Sequence, residues 1–244
     1  YSASYGINDS GQVVGWSETA AGAQHAFVWD ENVGMVDLGT LGGSASSAYA
    51  INNAGQVVGS ARTANGELHA FLWRDGEMTD LGLLQGGSCT EAYAINDAGQ
   101  IVGMARTSAT IYSWQRAFLW ENGIMTSLGV LDGASNSSAA DINIRGQVVG
   151  TSGDRAFLWD STSGMTQLTD FQSQGSAING TGLVVLASSG TYYIRDEAGV
   201  LSDMNLIRYS RINSINDSGQ VVGDFDYLSD DDYHAFLWDD AYGL

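Results

Sequence analysis

Acidic side chains are concentrated in one segment of the chain. Residues 224–232 read Asp-Phe-Asp-Tyr-Leu-Ser-Asp-Asp-Asp and contain five carboxylates. Ca²⁺ takes six to eight hard oxygen ligands, so this segment predicts a calcium site. The EF-hand spacing and its glycine are missing, and a solvated acidic loop remains the alternative. The predicted ligands are Asp224, Asp226, Asp230 and Asp232.

Three aromatic side chains lie in connections of variable length. Trp16, Tyr112 and Trp114 offer flat apolar surfaces that could stack on sugar rings if exposed. Ordinary packing of the loops against the protein is the alternative. We therefore predict a ligand site that includes these three residues.

The three histidines occupy one repeated position. His25, His69 and His234 are replaced there by Arg116 and Arg155 in other repeats. Because equivalent positions of successive repeats lie far apart, they do not form a metal site. We expect a polar residue that starts a strand and is hydrogen-bonded to a neighbouring turn.

The chain contains no Gly-x-Ser-x-Gly elbow, phosphate loop or His-Glu-x-x-His motif. A hydrolase or lyase with paired carboxylates stays open, because acids from separate repeats could meet. Asp141, Asp154 and Asp170, in the divergent fourth repeat, are the acids to test first.

These residues belong to an internal sequence repeat that occurs six times. An Ile-Asn pair opens each unit, with spacings of 44, 44, 47, 36 and 37 residues. The second repeat shows four segments with the period-2 alternation of strands: 48–52, 55–59, 69–73 and 78–82. The sequence Asn52-Asn53-Ala54-Gly55 is typical of a tight turn. The Phe and Trp residues of the third strand are expected to form the core between repeats.

This period predicts a single all-β domain, a six-bladed β-propeller of four-stranded blades. The chain ends where the fourth strand of the last blade should begin, so that blade is expected to lack its outer strand. Truncation and a strand supplied by a partner both fit this expectation, and the second would allow self-association. The predicted blades are residues 1–44, 45–88, 89–135, 136–172, 173–209 and 210–244.

Composition limits the possible partners. Nine basic and 28 acidic side chains give a net charge of -19, which opposes binding to nucleic acid. No apolar run is long enough to cross a bilayer. Cys89 is the only cysteine, so an internal disulfide is impossible, and we expect it to be buried.

Three longer motifs recur along the chain. They are His-Ala-Phe-Leu-Trp at 69–73 and 234–238, Ile-Asn-Asp-x-Gly-Gln-Val-Val-Gly at 7–15 and 215–223, and Leu-Gly-x-Leu at 38–41 and 81–84. These motifs resemble the bacterial extracellular HAF-repeat family, although blade five departs from the pattern, with Gly-Thr-Tyr-Tyr-Ile at 190–194. The resemblance implies a secreted or cell-surface protein, and the family carries no established catalytic residues.

The connection between the second and third strands is the variable part of the repeat, with lengths of 9, 9, 12, 4, 3 and 10 residues. Recognition residues tend to lie on such loops. We therefore predict a non-catalytic binding module for a glycan or surface component, using the variable-loop face. A structural or assembly protein that uses the open edge of blade six, and a Ca²⁺-dependent polysaccharide hydrolase or lyase, are the alternatives.

Overall fold

The structure is a computed structural model that describes residues 1–107, 114–206, 210–226 and 233–239. It divides into two compact units, Tyr1–Leu128 and Gly129–Leu244. The first unit contains blades one to three and the second contains blades four to six. The described residues include no helix able to span a membrane.

The three blades of the first unit are four-stranded antiparallel sheets in which each strand pairs with the next one along the chain. Blade one contains β1 (Ser2–Ile7), β2 (Val13–Glu18), β3 (Gln24–Asp30) and β4 (Gly34–Gly39). Blade two contains β5 (Gly42–Ile51), β6 (Val57–Thr63), β7 (Leu68–Arg74) and β8 (Glu77–Asp80). Blade three contains β9 (Cys89–Ile95), β10 (Ile101–Arg106), β11 (Gln115–Glu121) and β12 (Ile124–Gly129).

The second unit continues this order, and its last sheet has three strands within the described residues. The prediction of a six-bladed propeller is confirmed, and three strands of its sixth blade are described. Blade four contains β13 (Ser137–Ile142), β14 (Val148–Ser152), β15 (Arg155–Asp160) and β16 (Gly164–Gln167). Blade five contains β17 (Gln174–Ile178), β18 (Val184–Ser188), β19 (Thr191–Arg195) and β20 (Leu201–Asp203). Blade six contains β21 (Ser210–Ile215), β22 (Val221–Asp226) and β23 (Tyr233–Trp238).

The hydrophobic core lies between neighbouring blades, because alternate residues of a strand point to opposite faces of its sheet. Val57 and Phe71 of blade two pack on Val14 of blade one, whereas Val58 packs on blade three. The expectation for the third-strand phenylalanines holds, since Phe71 is completely buried. The expectation for the tryptophans holds in part: Trp238 is 6% exposed and Trp73 packs against the core, whereas Trp29 is 38% exposed.

Each turn between the first and second strands is organised by its asparagine. The side-chain Oδ1 of Asn52 accepts hydrogen bonds from the backbone N–H groups of Ala54 and Gln56. Gly55 closes the turn with a φ of 75°, a conformation that glycine adopts without strain. The asparagine is therefore 4% exposed although it lies in a turn.

The amide of the same asparagine joins neighbouring blades. In the first unit, Nδ2 of Asn8 donates to the carbonyl of Asn52 at 3.1 Å, and Nδ2 of Asn52 donates to the carbonyl of Asn96 at 3.1 Å. In the second unit, Asn143 and Asn179 donate in the same way, to the carbonyls of Asn179 and Asn216. We call these contacts the asparagine ladder.

At the opposite end of the first strands, a hydroxyl joins each blade to the one before it. Thr90 Oγ1 of blade three accepts from the backbone N–H of Ala70 at 2.9 Å and donates to the carbonyl of Gly82 at 2.8 Å. Ser46 of blade two makes the equivalent pair of bonds to Ala26 and Gly39. Each junction within the first unit is thus fixed at both ends of its first strands.

Every first strand carries a β-bulge three residues before its asparagine, and in all blades but the fifth it lies opposite a glycine of the second strand. A Cβ on Gly59 would overlap the carbonyl oxygen of Ser47, so this position needs glycine. Blade five has Leu186 there, and its partner across the ladder is Gly175. In blade five the glycine is thus on the first strand instead of the second, which explains how this blade keeps the bulge without a glycine in its second strand.

The asparagine ladder yields a stability prediction. Asn52→Ala should lower the free energy of unfolding by about 2–4 kcal/mol, because it leaves the N–H groups of Ala54 and Gln56 without their acceptor and removes one hydrogen bond to the carbonyl of Asn96. Asn52→Asp keeps the acceptor and loses the amide that reaches blade three, so part of the loss should remain. Denaturant unfolding measures both changes. Asn32→Ala, at an exposed turn of blade one, is the control, and an equal loss in that variant would contradict the ladder's role.

Candidate functional site

The blades of each unit converge at their first strands. In the first unit β1 contacts β5 and β5 contacts β9 closely, whereas the fourth strands β4 and β8 barely meet. The bulge inserts one extra residue into each first strand, outside the normal alternation. In blades one to three this residue is Tyr5, Tyr49 and Tyr93.

The three tyrosines form a continuous row. The ring centroids of Tyr5 and Tyr49 are 5.8 Å apart with the planes at 55°, and those of Tyr49 and Tyr93 are 6.0 Å apart at 54°. Trp16 extends the row, because its Nε1 donates to the hydroxyl of Tyr5 at 3.2 Å. We call these four residues the aromatic row. Tyr5 is 55% exposed, so one end of the row is accessible.

The protonation state of the tyrosines in the aromatic row depends on their burial and on one nearby carboxylate. Burial raises the pKa of Tyr93 far above its usual value, and the charge of Glu91 adds to this. The pKa of Tyr49 is raised for the same reasons. Burial also raises the pKa of Glu91 itself, against the opposing charge of Arg106. The row therefore presents neutral phenols beside a half-buried carboxyl group that can accept hydrogen bonds.

The predicted aromatic ligands are not all brought together. Trp16 belongs to the aromatic row, and it lies on β2 rather than in a connection as predicted. Trp114 is 51% exposed and precedes β11, where its carbonyl accepts from the backbone N–H and hydroxyl of Thr107. Among the described residues, no ring contact joins Trp114 to the row. Tyr112 lies outside the described residues.

The tyrosines of the row were missed by the sequence reasoning. A signal was present: tyrosine stands three residues before the turn asparagine in three successive repeats, and Ala140, Ser176 and Asn213 stand there in the other three. The repeated tyrosine could be interpreted only with knowledge of the β-bulge. Strict alternation along the strand would place these side chains on one face of the blade. The bulge becomes visible only in the pairing of the strands.

The histidines have a structural role in the first unit. His25 Nδ1 lies 2.8 Å from Asp37 Oδ2, and His69 Nδ1 lies 2.8 Å from Asp80 Oδ2. Their partners are carboxylates of the fourth strand, so the expectation of a partner in a turn was wrong. Each carboxylate also accepts a backbone N–H, as Asp37 does from Gly39.

The predicted calcium site lies mostly beyond what the structure describes. Asp224 is half-buried on β22, opposite Arg211 and Ala235 in register. For Asp226 only the backbone is described, and Asp230 and Asp232 lie outside the described residues. Within the described part of the chain, no three His, Cys, Asp or Glu side chains are grouped to hold a metal ion. The calcium site stays a prediction.

The acids of the fourth repeat are divided between two ends of a blade. Asp141 accepts backbone hydrogen bonds from Ile142 at 2.8 Å and Ile178 at 2.9 Å, and thus joins blades four and five. Asp154 lies in the turn beyond the far end of β14, about 15 Å along the strand. This exceeds the carboxyl separation that glycoside hydrolysis uses. Asp170 is exposed.

A family model described as "Protein of unknown function (DUF3466)" matches residues 84–224, which is more than half of the chain. The chain belongs to this family. No curated protein sequence matches this DUF3466 member.

Several solved structures share the fold of this DUF3466 chain. The β-propeller domain of the Trilobed protease from Pyrococcus furiosus matches with a TM-score of 0.59 and 12% identity, over 96% of this chain and 80% of that one. Puromycin hydrolase matches at 0.63 and 14%, over 99% and 44%. TolB from Acinetobacter baumannii matches at 0.55 and 13%, over 82% and 53%. The chain thus spans about half of TolB, and these identities indicate the fold alone.

The environment of Asp141 yields a prediction for pH. Burial raises the pKa of this carboxyl group from 3.8 to about 6. The folded protein holds the proton more tightly than the unfolded chain, so Asp141 makes the free energy of unfolding fall as the pH rises from about 4 to about 6. Asp141→Ala, which installs the residue of blades two and three, should remove about 1–3 kcal/mol of that fall. Denaturant unfolding at several pH values measures it, with the exposed Asp132→Asn as control. Identical pH profiles for the wild type and Asp141→Ala would contradict the assignment.

Proposed function

We propose that the chain is a non-catalytic binding module that recognises a neutral glycan through the aromatic row. The observation that carries this proposal is the partly exposed row of Trp16, Tyr5, Tyr49 and Tyr93. Flat aromatic surfaces pack against the C–H faces of sugar rings, and phenol and indole groups add hydrogen bonds at the edges. Successive rings about 6 Å apart can contact successive sugars of an oligosaccharide.

The charge of the chain favours neutral ligands. A net charge of -19 repels sulfated, phosphorylated or uronic acid glycans. Glu91 can instead accept hydrogen bonds from hydroxyl groups. We include Trp114 and Tyr112 in the proposed site as contacts from the variable loop of blade three. An extracellular or cell-surface location, as in the HAF-repeat proteins that the motifs resemble, fits a protein that meets such glycans.

The proposal predicts selective loss of binding. An array of neutral oligosaccharides built from hexoses and N-acetylhexosamines identifies the ligand, and calorimetry then measures its affinity. Trp16→Ala and Tyr5→Ala should each weaken binding about tenfold, the effect of losing one aromatic contact of about 1.4 kcal/mol. Trp114→Ala tests whether the site extends to the loop.

Trp29→Ala is the matched control, because Trp29 is a partly exposed aromatic residue of blade one outside the row. It should change the affinity less than twofold. The proposal fails if no neutral oligosaccharide binds the wild type, or if Trp29→Ala weakens binding as much as Tyr5→Ala does.

The third strand of blade six supports self-association as a second candidate function. Within the described residues β23 is hydrogen-bonded to β22 on one side, so the described part of this sheet ends on its third strand. Such an edge presents backbone groups that can pair with another chain. Sedimentation velocity across two orders of magnitude in protein concentration tests this, and a monomer throughout would rule it out.

A further inference from the structure

An open pocket of about 450 Å³ lies in the second unit, between blades four and five. Its walls come from the turn between β14 and β15, the start of β17, and the turn between β18 and β19. Its lining includes Thr151, Asp154, Gln172, Ser188, Ser189 and Gly190.

Short hairpins open this pocket. The connections between the second and third strands are residues 19–23 in blade one and 64–67 in blade two, whereas residues 153–154 and 189–190 suffice in blades four and five. Ser189 and Gly190 form a two-residue turn, with φ of 50° and 81°. Such turns match the twist of the strands they join and hold them in a fixed geometry. The walls of the pocket are therefore rigid.

A substitution in the second strand opens it further. Thr151 pairs with Ser138 and Ala156 in blade four. The equivalent residue of blade one is Trp16, which pairs with Ala3 and Ala26. The small threonine thus leaves free the volume that an indole occupies in the first unit.

The polar groups of the pocket are held in place by hydrogen bonds. Gln172 Nε2 donates to Asp154 Oδ2 at 3.0 Å, and Arg155 Nε lies 3.4 Å from Asp154 Oδ1. Ser188 Oγ donates to the carbonyl of Gln172 at 2.6 Å. These contacts link the two sides of the pocket and fix the carboxylate before a ligand arrives, which reduces the entropic cost of binding. A carboxylate has about four acceptor sites, so Asp154 keeps capacity for a ligand.

We propose that this pocket binds one or two units of a neutral saccharide, independently of the aromatic row. Amide, hydroxyl and carboxylate groups line it, and sugar hydroxyls both donate to and accept from such groups. None of its lining residues is basic, which disfavours phosphate and other anions. Its volume lies in the range of small-molecule sites.

Saturation-transfer NMR and calorimetry with a panel of neutral mono- and disaccharides test the pocket. Asp154→Asn should weaken binding at least tenfold, because the amide replaces an acceptor with a donor. Thr151→Trp should abolish binding, because it places in the pocket the side chain that blade one carries at this position. Asp132→Asn, an exposed acid of the same unit, should change the affinity less than twofold. Unchanged thermal midpoints show that the variants fold.

Testing variants of the aromatic row for binding in the pocket distinguishes the two sites. Tyr5→Ala should leave pocket binding intact, and failure of the aromatic row to bind any glycan leaves the pocket proposal standing. The pocket proposal is overturned if no saccharide of the panel binds the wild type, or if binding survives both Asp154→Asn and Thr151→Trp.

Discussion

The asparagine of the turn between the first and second strands has four hydrogen-bonding positions, and in Asn8, Asn52 and Asn143 the fold uses all of them. Its oxygen accepts two backbone N–H groups of its own turn, and its amide donates once to the glutamine that ends the turn and once to the carbonyl of the next blade, as in Asn52. A buried amide with every group satisfied is worth more than its single bonds suggest, because removing it orphans several partners together. The asparagine ladder therefore sets the spacing of the blades at one end.

The hydroxyl contacts of Ser46 and Thr90 set the spacing at the other end, and the apolar clusters fill the volume between them. Because both ends of the first strands are fixed, the extra residue of each bulge projects in the same direction. The aromatic row follows from this geometry. Three tyrosines at the bulge of three successive blades must lie next to one another, because the ladder repeats the same offset at each junction.

The two proposed sites differ through one position of the second strand. In blade one this position is Trp16, whose indole contacts Tyr5 and completes an aromatic surface. In blade four it is Thr151, and the space beside it forms part of a polar pocket. The repeat thus keeps its backbone contacts constant and varies the side chains that those contacts place at the junctions. This division allows a scaffold built from one motif to present two kinds of binding surface.

The sequence by itself determined the sixfold repeat and the strands of each unit, because period-2 alternation and Asn-x-x-Gly turns are local properties. It also indicated Trp16 as a candidate ligand residue. It could not show that Asn8 reaches Asn52, that Tyr49 leaves the alternation, or that Asp141 joins two blades. These facts depend on strand register and on contacts between residues about 40 positions apart. Only the tertiary structure decides them, since the partner of a side chain across a blade junction is fixed by how the sheets pack.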